Sequence, residues 1–311
     1  MVIRQLVYLA ALAREKHFGR AAASCHVSQP TLSAAIRQLE AELGVPIVER
    51  GQRYKGLTAE GQRVLDWAHR IIADCDALQQ DLGAMRDGLT GRLRIGAIPA
   101  ALPAVSLVTT PFCQKHPRVT VTILSQSSIE IQRGLEAFDI DIGITYLDNE
   151  PLIRVRTQPL YRERYIFLTS ATGPFAARRS LSWAEAATVP LCLLTPDMQN
   201  RRILNAVFRS VDCQPTPAIE TNSVLTLCSH VRFGQWSSVM PHTFLHLFGV
   251  PSGMRAIPLV RPEPVHEIGL VIADREPAPP LARALMESAR LENIQGRLDT
   301  AIPPPARRRG R

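Results

Sequence analysis

The apolar positions near the start of the chain recur with helical spacing and predict three short helices followed by a hairpin. The helices are expected at about residues 3–15, 19–25 and 28–43. In the third, Leu32, Ile36 and Leu39 lie four and three residues apart, as expected for a helix with one buried face. Pro30 in its first turn and Gly44 after its last turn are typical start and stop signals. The next segment, "VPIVERGQRYKGLT", has apolar ends and a basic, glycine-bounded tip, which predicts a two-stranded wing.

A heptad repeat runs along the helix predicted next. Its apolar positions alternate four and three residues apart from Val64 to Leu89. A strict period of 3.5 favours a seam between two helices over packing within one domain. The predicted dimerisation residues are Ala68, Ile71, Cys75, Leu78, Leu82 and Met85.

The pattern changes to alternating strands and helices from residue 91 onward. The segments "LRIG", "VTVTIL" and "IDIGIT" are separated by two amphipathic stretches, which predicts a parallel sheet covered by helices. A change of strand register near 160 and a returning strand near 265 indicate two subdomains. A last helix is expected at about 279–293, and the Pro- and Arg-rich tail at 301–311 is expected to be disordered.

Charge is concentrated at the two ends of the chain. The 311 residues carry a formal net charge of +8, half of it in residues 1–58 and half in the final "RRRGR". Basic patches of this kind permit a polyanionic partner, although a solvated basic surface gives the same composition. The length suggests two or three domains.

The six cysteines form no CxxC pair and lie at no zinc-type spacing with histidine. Reduced thiols in a cytoplasmic protein are the simple interpretation, and a redox-sensing pair such as Cys213 with Cys228 is the alternative. No apolar run approaches the ~18 residues that would span a membrane. The early "LVYLAALA" imitates a signal sequence but has the spacing of an amphipathic helix, so neither export nor a membrane partner is expected.

Common catalytic and metal-binding motifs are missing from the sequence. It contains no GxSxG, GxxxxGK[ST] or HExxH, and no GxGxxG after a strand. His242 and His246 could share a helical face, but no carboxylate or cysteine nearby completes a metal site. We therefore expect neither an enzyme nor a bound metal or cofactor.

The third helix has the polar first turn of a DNA-reading helix. Small polar residues at its start would let the backbone approach the major groove, where Gln29 could bind adenine and Arg37 a phosphate. The alternative is that Ser28-Gln29-Pro30 is only a helix cap. The predicted DNA-binding residues are Ser28, Gln29, Pro30, Thr31, Ser33 and Arg37, with Arg50 and Arg53 beside the wing tip.

The order of these motifs resembles that of the LysR-type transcriptional regulators. The similar stretches are "HFGRAAASCHVSQPTLSAAIRQLEAELGVPIVER", "LTAEG", "LRIG", "FDIDIGI" and "SSVMP". Two departures stand out. Val48-Glu49 replaces a Leu-Phe pair before the wing, and Ala100-Ala101 stand where the family often has a hydroxyl for its ligand.

The resemblance implies an α/β fold with an N-terminal winged helix-turn-helix and a C-terminal effector region of the type 2 periplasmic-binding-protein kind. The implied domains are 1–58 for DNA binding, 59–90 for the dimerisation helix and 91–300 for effector binding. Subdomain I would comprise about 91–160 and 266–300, and subdomain II about 161–265. Implied partners are double-stranded promoter DNA, a small-molecule effector, RNA polymerase and further copies of the chain in a homodimer or homotetramer. The expected location is the cytoplasm.

Effector-binding candidates follow from the rule that ligands of open α/β sheets bind at strand carboxyl ends and helix N-termini. They are Ala100, Ala101, Ser127, Ser128, Tyr146, Thr195, Arg201, Asn222 and Ser223. The serines could equally be helix caps and the arginine a surface residue. A small anionic or polar ligand is expected. A redox-sensing regulator of the same family and a periplasmic-type solute-binding protein stay open as alternatives.

Overall fold

The computed structural model describes residues 1–49 and 54–299. Within them the chain forms two compact units, which divide after Gly88. Each unit has a hydrophobic core of its own. The wing arginines Arg50 and Arg53 and the tail at 301–311 lie outside the described residues.

Helices dominate the N-terminal unit. Their bounds are α1 Ile3–Glu15, α2 Phe18–Ser24, α3 Gln29–Leu43 and α4 Ala59–Asp87. The first three lie within one residue of the predicted bounds. Leu32, Ile36 and Leu39 of α3 are buried in the core, as predicted. The helix ends at Gly44, whose φ of 71° is a left-handed conformation that glycine adopts without a Cβ clash.

The start of α4 and the base of the wing support each other. The Thr58 hydroxyl accepts a hydrogen bond from the Gly61 backbone N–H at 2.8 Å and thereby caps α4. A Cβ at Gly61 would lie 2.0 Å from the Ile47 carbonyl oxygen, so only glycine fits there. Val48 and Leu57 form an antiparallel bridge, which is the described part of the predicted wing.

Two halves of α4 have different surroundings. Ala68 is completely buried in the N-terminal core, and Ile71 packs partly against that core, because the first turns of α4 lie on α1. Leu78, Leu82 and Met85 are instead 60%, 55% and 82% exposed. The prediction that the whole heptad forms an intermolecular seam is therefore wrong for Ala68, whose methyl group is covered by its own unit.

The C-terminal unit contains two principal sheets. Their strands are β1 Gly91–Ala97, β2 Val119–Ser125, β3 Ile142–Tyr146, β4 Val155–Glu163, β5 Tyr165–Ser170, β6 Leu181–Ser182, β9 Ser238–Pro241, β10 Met254–Val260 and β11 His266–Ala273. A short parallel pair is formed by β7 Cys192–Leu194 and β8 Ile219–Thr221. The helices are α5 Leu102–Lys115, α6 Ser128–Glu136, α7 Trp183–Ala186, α8 Gln199–Arg209, α9 Val224–Phe233, α10 Thr243–Phe248, α11 Pro280–Arg290 and α12 Ile294–Asp299.

Strand order explains how the two sheets are joined. The first sheet has the order β2-β1-β3-β11-β4, and the second has β6-β10-β5-β9. Strands β1, β2 and β3 are parallel, as the strand–helix alternation predicts, whereas β11 runs antiparallel to β3 and β4. The chain passes between the sheets twice, through the single residue Arg164 and through residues 261–265.

Candidate DNA-binding helix and effector pocket

The first turn of α3 combines a helix cap with an exposed polar end. The Ser28 hydroxyl accepts from the Thr31 backbone N–H at 3.3 Å and lies 2.8 Å from the Thr31 hydroxyl. Of the predicted DNA-binding residues, Ser28, Gln29, Pro30, Thr31 and Arg37 are exposed, and Ser33 is half-buried. The two interpretations from the sequence are therefore compatible, because the residue that caps the helix leaves its neighbours exposed.

Small residues allow α2 to pack closely beside α3. Ala21 and Ala22 of α2 are buried in the shared core. The turn between the helices contains His26 with a φ of 55°, and the Val27 backbone N–H donates to the Ala22 carbonyl at 3.0 Å. This connection at 25–28 gives the helix pair the form of a helix-turn-helix, in which the start of the second helix faces the major groove.

A pocket lies at the carboxyl ends of several strands of the C-terminal unit. Its empty space amounts to about 200 Å³ when the open solvent at its mouth is included. Its lining comes from the loop after β1, the start of α6, the end of β7 and the start of α8: Ile98, Pro99, Ala100, Ser127, Ser128, Leu194, Met198, Gln199 and Asn200. The position is the one that the rule for open α/β sheets predicts.

The start of α6 is satisfied by the chain itself. The Ser127 hydroxyl accepts from the Glu130 backbone N–H at 3.3 Å, and the Glu130 carboxylate accepts from the Ser127 N–H at 2.7 Å and from its hydroxyl at 2.9 Å. This reciprocal arrangement is a capping box. It places a carboxylate beside the pocket wall and occupies three of the donors at this end of α6.

The start of α8 carries polar groups that the chain does not satisfy. Met198 at the cap position makes no side-chain hydrogen bond to the described residues. Gln199 and Asn200 are only 3% and 4% exposed. The Gln199 amide nitrogen Nε2 is buried and finds no hydrogen-bond partner in the described part of the chain. The Asn200 amide nitrogen donates to the Tyr146 hydroxyl at 3.0 Å.

Both arginines that follow Asn200 are held by internal partners. Arg201 is buried and donates to the Leu194 carbonyl and the Glu220 carboxylate, each at 2.7 Å. Arg202 makes a bidentate pair with Glu150, at 2.6 and 2.8 Å. The guanidinium of Arg201 is thus committed to partners within the fold, and its predicted role in effector binding stays a prediction.

Behind Asn200 lies a buried tyrosine–carboxyl pair. Tyr146 is completely buried, and its hydroxyl donates to Glu163 Oε1 at 2.5 Å. Burial raises the pKa of Glu163 to about 8, so its carboxyl is protonated at neutral pH. Tyr146, an effector-binding candidate from the sequence, therefore does not line the pocket but contacts the pocket residue Asn200.

Models of known protein families match both the unit that contains the helix-turn-helix and the unit that contains the pocket. Residues 3–62 match the family model "Bacterial regulatory helix-turn-helix protein, lysR family", and residues 86–292 match "LysR substrate binding domain". The chain belongs to the LysR family of transcriptional regulators. It is thus a DNA-binding regulator with an effector-binding domain, and the predicted fold class and family are confirmed.

Several LysR-family relatives span almost the whole chain. "DNA-binding transcriptional dual regulator OxyR" of Escherichia coli (strain K12) is 30% identical over 302 residues, covering 96% of each chain. A "Hydrogen peroxide-inducible genes activator" of Haemophilus influenzae is 29% identical over 89% of this chain and 92% of the relative. Among solved structures, a variant of full-length OxyR from Pseudomonas aeruginosa superposes with a TM-score of 0.76, 27% identity and coverage of 95% and 97%. Full-length CbnR in complex with its target DNA has the same fold, with a TM-score of 0.65, 22% identity and coverage of 94% and 99%.

The other predicted effector residues of this LysR-family chain lie outside the pocket lining. Ala100 lines the pocket, whereas Ala101 is completely buried behind it. Thr195 follows β7 with a buried hydroxyl that makes no hydrogen bond to the described residues. The Ser223 hydroxyl accepts from the Thr226 N–H at 3.3 Å and caps α9, and Asn222 precedes it. Since Ala101, Thr195, Asn222 and Ser223 do not line this pocket, their role in effector binding stays a prediction.

The cysteines of this regulator do not contribute to the pocket lining. Among the described residues that line it, none is a cysteine. Cys192 and Cys228 are buried in one apolar cluster, while Cys213 packs against another. Burial raises the pKa of Cys192 to about 11 and also raises the pKa of Cys228. The pairing of Cys213 with Cys228 that the sequence suggested is not supported by this arrangement.

Histidines do not assemble into a metal site in the described residues, and no cluster of three or more metal-binding side chains occurs there. The His242 Nδ1 accepts from the Arg164 backbone N–H at 3.1 Å, and burial lowers the pKa of His242 to about 4. None of the helices described here is long and apolar enough to cross a membrane.

Two important residues, Gln199 and Glu163, were not among the sequence candidates. Gln199 opens α8 directly after a strand and a short loop, a position that the strand-end rule could have singled out. Glu163 lies within the apolar "PLYRERYIFLTS" segment, where a lone acidic residue between strand residues is a detectable signal of a buried carboxyl.

Proposed function

We propose that this regulator reads promoter DNA with the first turn of α3 and is controlled by a small polar molecule in the pocket. The DNA-reading part is supported by the exposed Gln29, Pro30 and Thr31 at the start of α3. The effector part is supported by one observation above all: Gln199 lines the pocket, and its buried amide nitrogen has no hydrogen-bond partner among the described residues. An unsatisfied buried donor costs about 1–3 kcal/mol, which a ligand with an acceptor would recover.

The proposal includes the partners expected of such a regulator. Two chains pair through the exposed half of α4, formed by Leu78, Leu82 and Met85, and two dimers form a tetramer. The complex acts in the cytoplasm, where it contacts promoter DNA and RNA polymerase. The protein uses no cofactor beyond its effector and catalyses no reaction.

A footprinting experiment tests this function. Purified full-length protein selects fragments of its own genome, and the selected sites are footprinted with and without a fractionated small-molecule extract. An effector fraction should change the footprint of the wild type but not that of Gln199→Leu. The matched control is Gln214→Leu, since Gln214 is exposed after α8 and away from the pocket. A response that survives in Gln199→Leu would contradict the effector assignment.

The likeness to OxyR and to hydrogen peroxide-inducible activators favours a second candidate, a thiol-based response to peroxide. Thiol oxidation needs an accessible thiolate, whereas burial raises the pKa of both Cys192 and Cys228. We therefore place effector binding first. A Cys192→Ala/Cys228→Ala variant separates the two: if hydrogen peroxide changes the wild-type footprint and not that of the variant, the thiol mechanism is correct.

A further inference from the structure

We infer that the pocket selects a small uncharged ligand with a hydrogen-bond acceptor, of the amide or alcohol type, and discriminates against a carboxylate. The inference rests on the proposed effector role of the pocket and names the chemical class of its ligand. It is carried by the donors, the charges and the walls that surround the pocket.

The donors require an acceptor on the ligand. Gln199 Nε2 is buried and has no partner within the described residues, and it belongs to the first turn of the eleven-residue α8. The backbone N–H groups at the start of a helix have no partner within the helix, and Met198 supplies no side-chain cap from the described chain. Both groups border the pocket through Met198, Gln199 and Asn200.

The charges do not favour an anion. Arg201 and Arg202, which follow the pocket residue Asn200 in α8, are paired with Glu220 and Glu150. The Glu130 carboxylate caps the opposite wall at Ser127. A bound carboxylate would lose its hydration, gain no uncommitted cation from these two arginines and meet this third carboxylate. Desolvation of a charge exceeds what one helix N-terminus returns.

The group behind Asn200 is neutral as well. Asn200 donates to Tyr146, and Tyr146 donates to Glu163, whose burial raises its pKa to about 8. The groups that face Glu163 are Tyr146 on β3, Tyr161 on β4, Tyr165 on β5 and, electrostatically, Asp148 after β3, which is paired with His266 on β11. The hydrogen bonds from Asn200 through Tyr146 to Glu163 therefore hold the Asn200 amide in position and bring no positive charge to the ligand.

The walls set the shape of the ligand. Ile98, Pro99, Ala100, Leu194 and Met198 form apolar sides around the polar Gln199 and Asn200 amides. A small molecule with an apolar body and one amide or hydroxyl group matches this division. Acetamide and acetate are therefore a suitable pair of probes, because they have the same shape and differ in charge.

Thermal unfolding of the full chain in the presence of these two probes tests the inference. Both probes are used at about 100 mM at pH 7 and equal ionic strength. We expect acetamide to raise the Tm of the wild type by about 1–3 °C relative to Gln199→Leu, since binding to the folded state stabilises it. Acetate should give no such difference. The variant Gln199→Met provides a second apolar replacement, and Gln214→Leu should respond like the wild type.

The possible outcomes separate this inference from the proposed function. If acetate stabilises the wild type and the effect is lost in Gln199→Leu, the uncharged class is wrong and the effector pocket stands. If acetamide stabilises the wild type and Gln199→Leu equally, or if neither probe stabilises the wild type, both the ligand class and the pocket assignment are wrong.

Discussion

At the scale of single residues, the buried carboxyl of Glu163 is the group most sensitive to pH. It lies at the end of β4, one residue before the chain enters the second sheet. It is completely buried, and Tyr146 donates to one of its oxygens. Because an ionised carboxylate is costly in such surroundings, the folded protein holds a proton that the unfolded chain would release at neutral pH.

Replacing Glu163 by glutamine should remove a pH-dependent part of the stability. The pKa of Glu163 is raised by burial from its ordinary value of 4.5 to about 8. Its contribution is therefore fully present below about pH 4.5 and is lost as the pH rises to about 8. We expect the free energy of unfolding of the wild type to fall relative to Glu163→Gln by on the order of 1 kcal/mol per pH unit across this window.

Urea unfolding at pH 5, 6, 7, 8 and 9 provides the measurement. Groups other than Glu163 are common to both proteins, so the difference between the two proteins isolates Glu163. Glu263→Gln is the control, because Glu263 is exposed in the loop between β10 and β11. Parallel stability curves for the wild type and Glu163→Gln would show that the carboxyl is ionised in the folded protein.

Residue roles were predictable from the sequence where the partner is local. The hydroxyls of Ser28 and Ser127 cap helices by accepting from the backbone N–H three residues further along the chain. Both partners of such a contact lie in one short stretch of sequence, so the cap can be predicted from it. The contact between Asn200 and Tyr146 joins residues 54 positions apart. Such a contact depends on the tertiary fold, which is why the position of Tyr146 at the end of β3 predicts a ligand contact but not its burial behind Asn200.

At the scale of elements, α3 packs into the core through one face and leaves its first turn exposed for contact with DNA. Its apolar stripe lies in the core, and Gln29 stays exposed in its first turn. Gln29→Ala should relax the base preference at one position of the binding site and cost roughly 1–3 kcal/mol there, because a bidentate amide contact is lost. Footprinting and affinity on single-base variants of a selected site measure this. Gln38→Ala, further along the exposed face, should leave base preference unchanged, and equal behaviour of the two variants would contradict the groove assignment.

The two halves of α4 should respond differently to an introduced charge. Leu78→Asp with Leu82→Asp places carboxylates on exposed apolar positions, so we expect folded monomers in sedimentation. Ala68→Asp places a carboxylate in the N-terminal core and should lower the Tm by several degrees. Gln79→Asp on the same helix is the control and should leave assembly intact. Dimers that persist in the double variant would show that the exposed half of α4 is not the interface.

Helix α4 also shows which properties of a helix can be predicted from the sequence. Its length and the bounds of α1, α2 and α3 follow from caps and periodicity, which are local properties. A heptad pattern, however, cannot tell whether its apolar positions meet a neighbouring helix of the same chain, as Ala68 does, or another molecule. Short pieces such as β6, and the break between α11 and α12, lack the repeated pattern that makes an element visible in a sequence.

At the scale of the whole molecule, charge separates specific from non-specific DNA binding. The exposed Gln29 and the rest of the α3 first turn supply base contacts that depend little on salt, whereas arginines contribute through phosphates. The four arginines of the tail at 303–311 account for half of the formal net charge of +8. Removing them lowers that charge to +4 without touching the residues proposed to read the bases.

Truncation after residue 302 should therefore weaken non-specific DNA binding and reduce its salt dependence, while the footprint on a selected site is retained. Each phosphate contact contributes about 0.9 to the slope of log K against log salt, so loss of four contacts would reduce the magnitude of the slope by about 3.6. Affinity for a random duplex, measured from 50 to 200 mM NaCl, gives this slope. A variant with Arg307, Arg308, Arg309 and Arg311 changed to glutamine keeps the length and tests charge alone. If it retains the wild-type slope, the tail does not contact phosphates, and the salt dependence must come from the basic residues of the N-terminal unit.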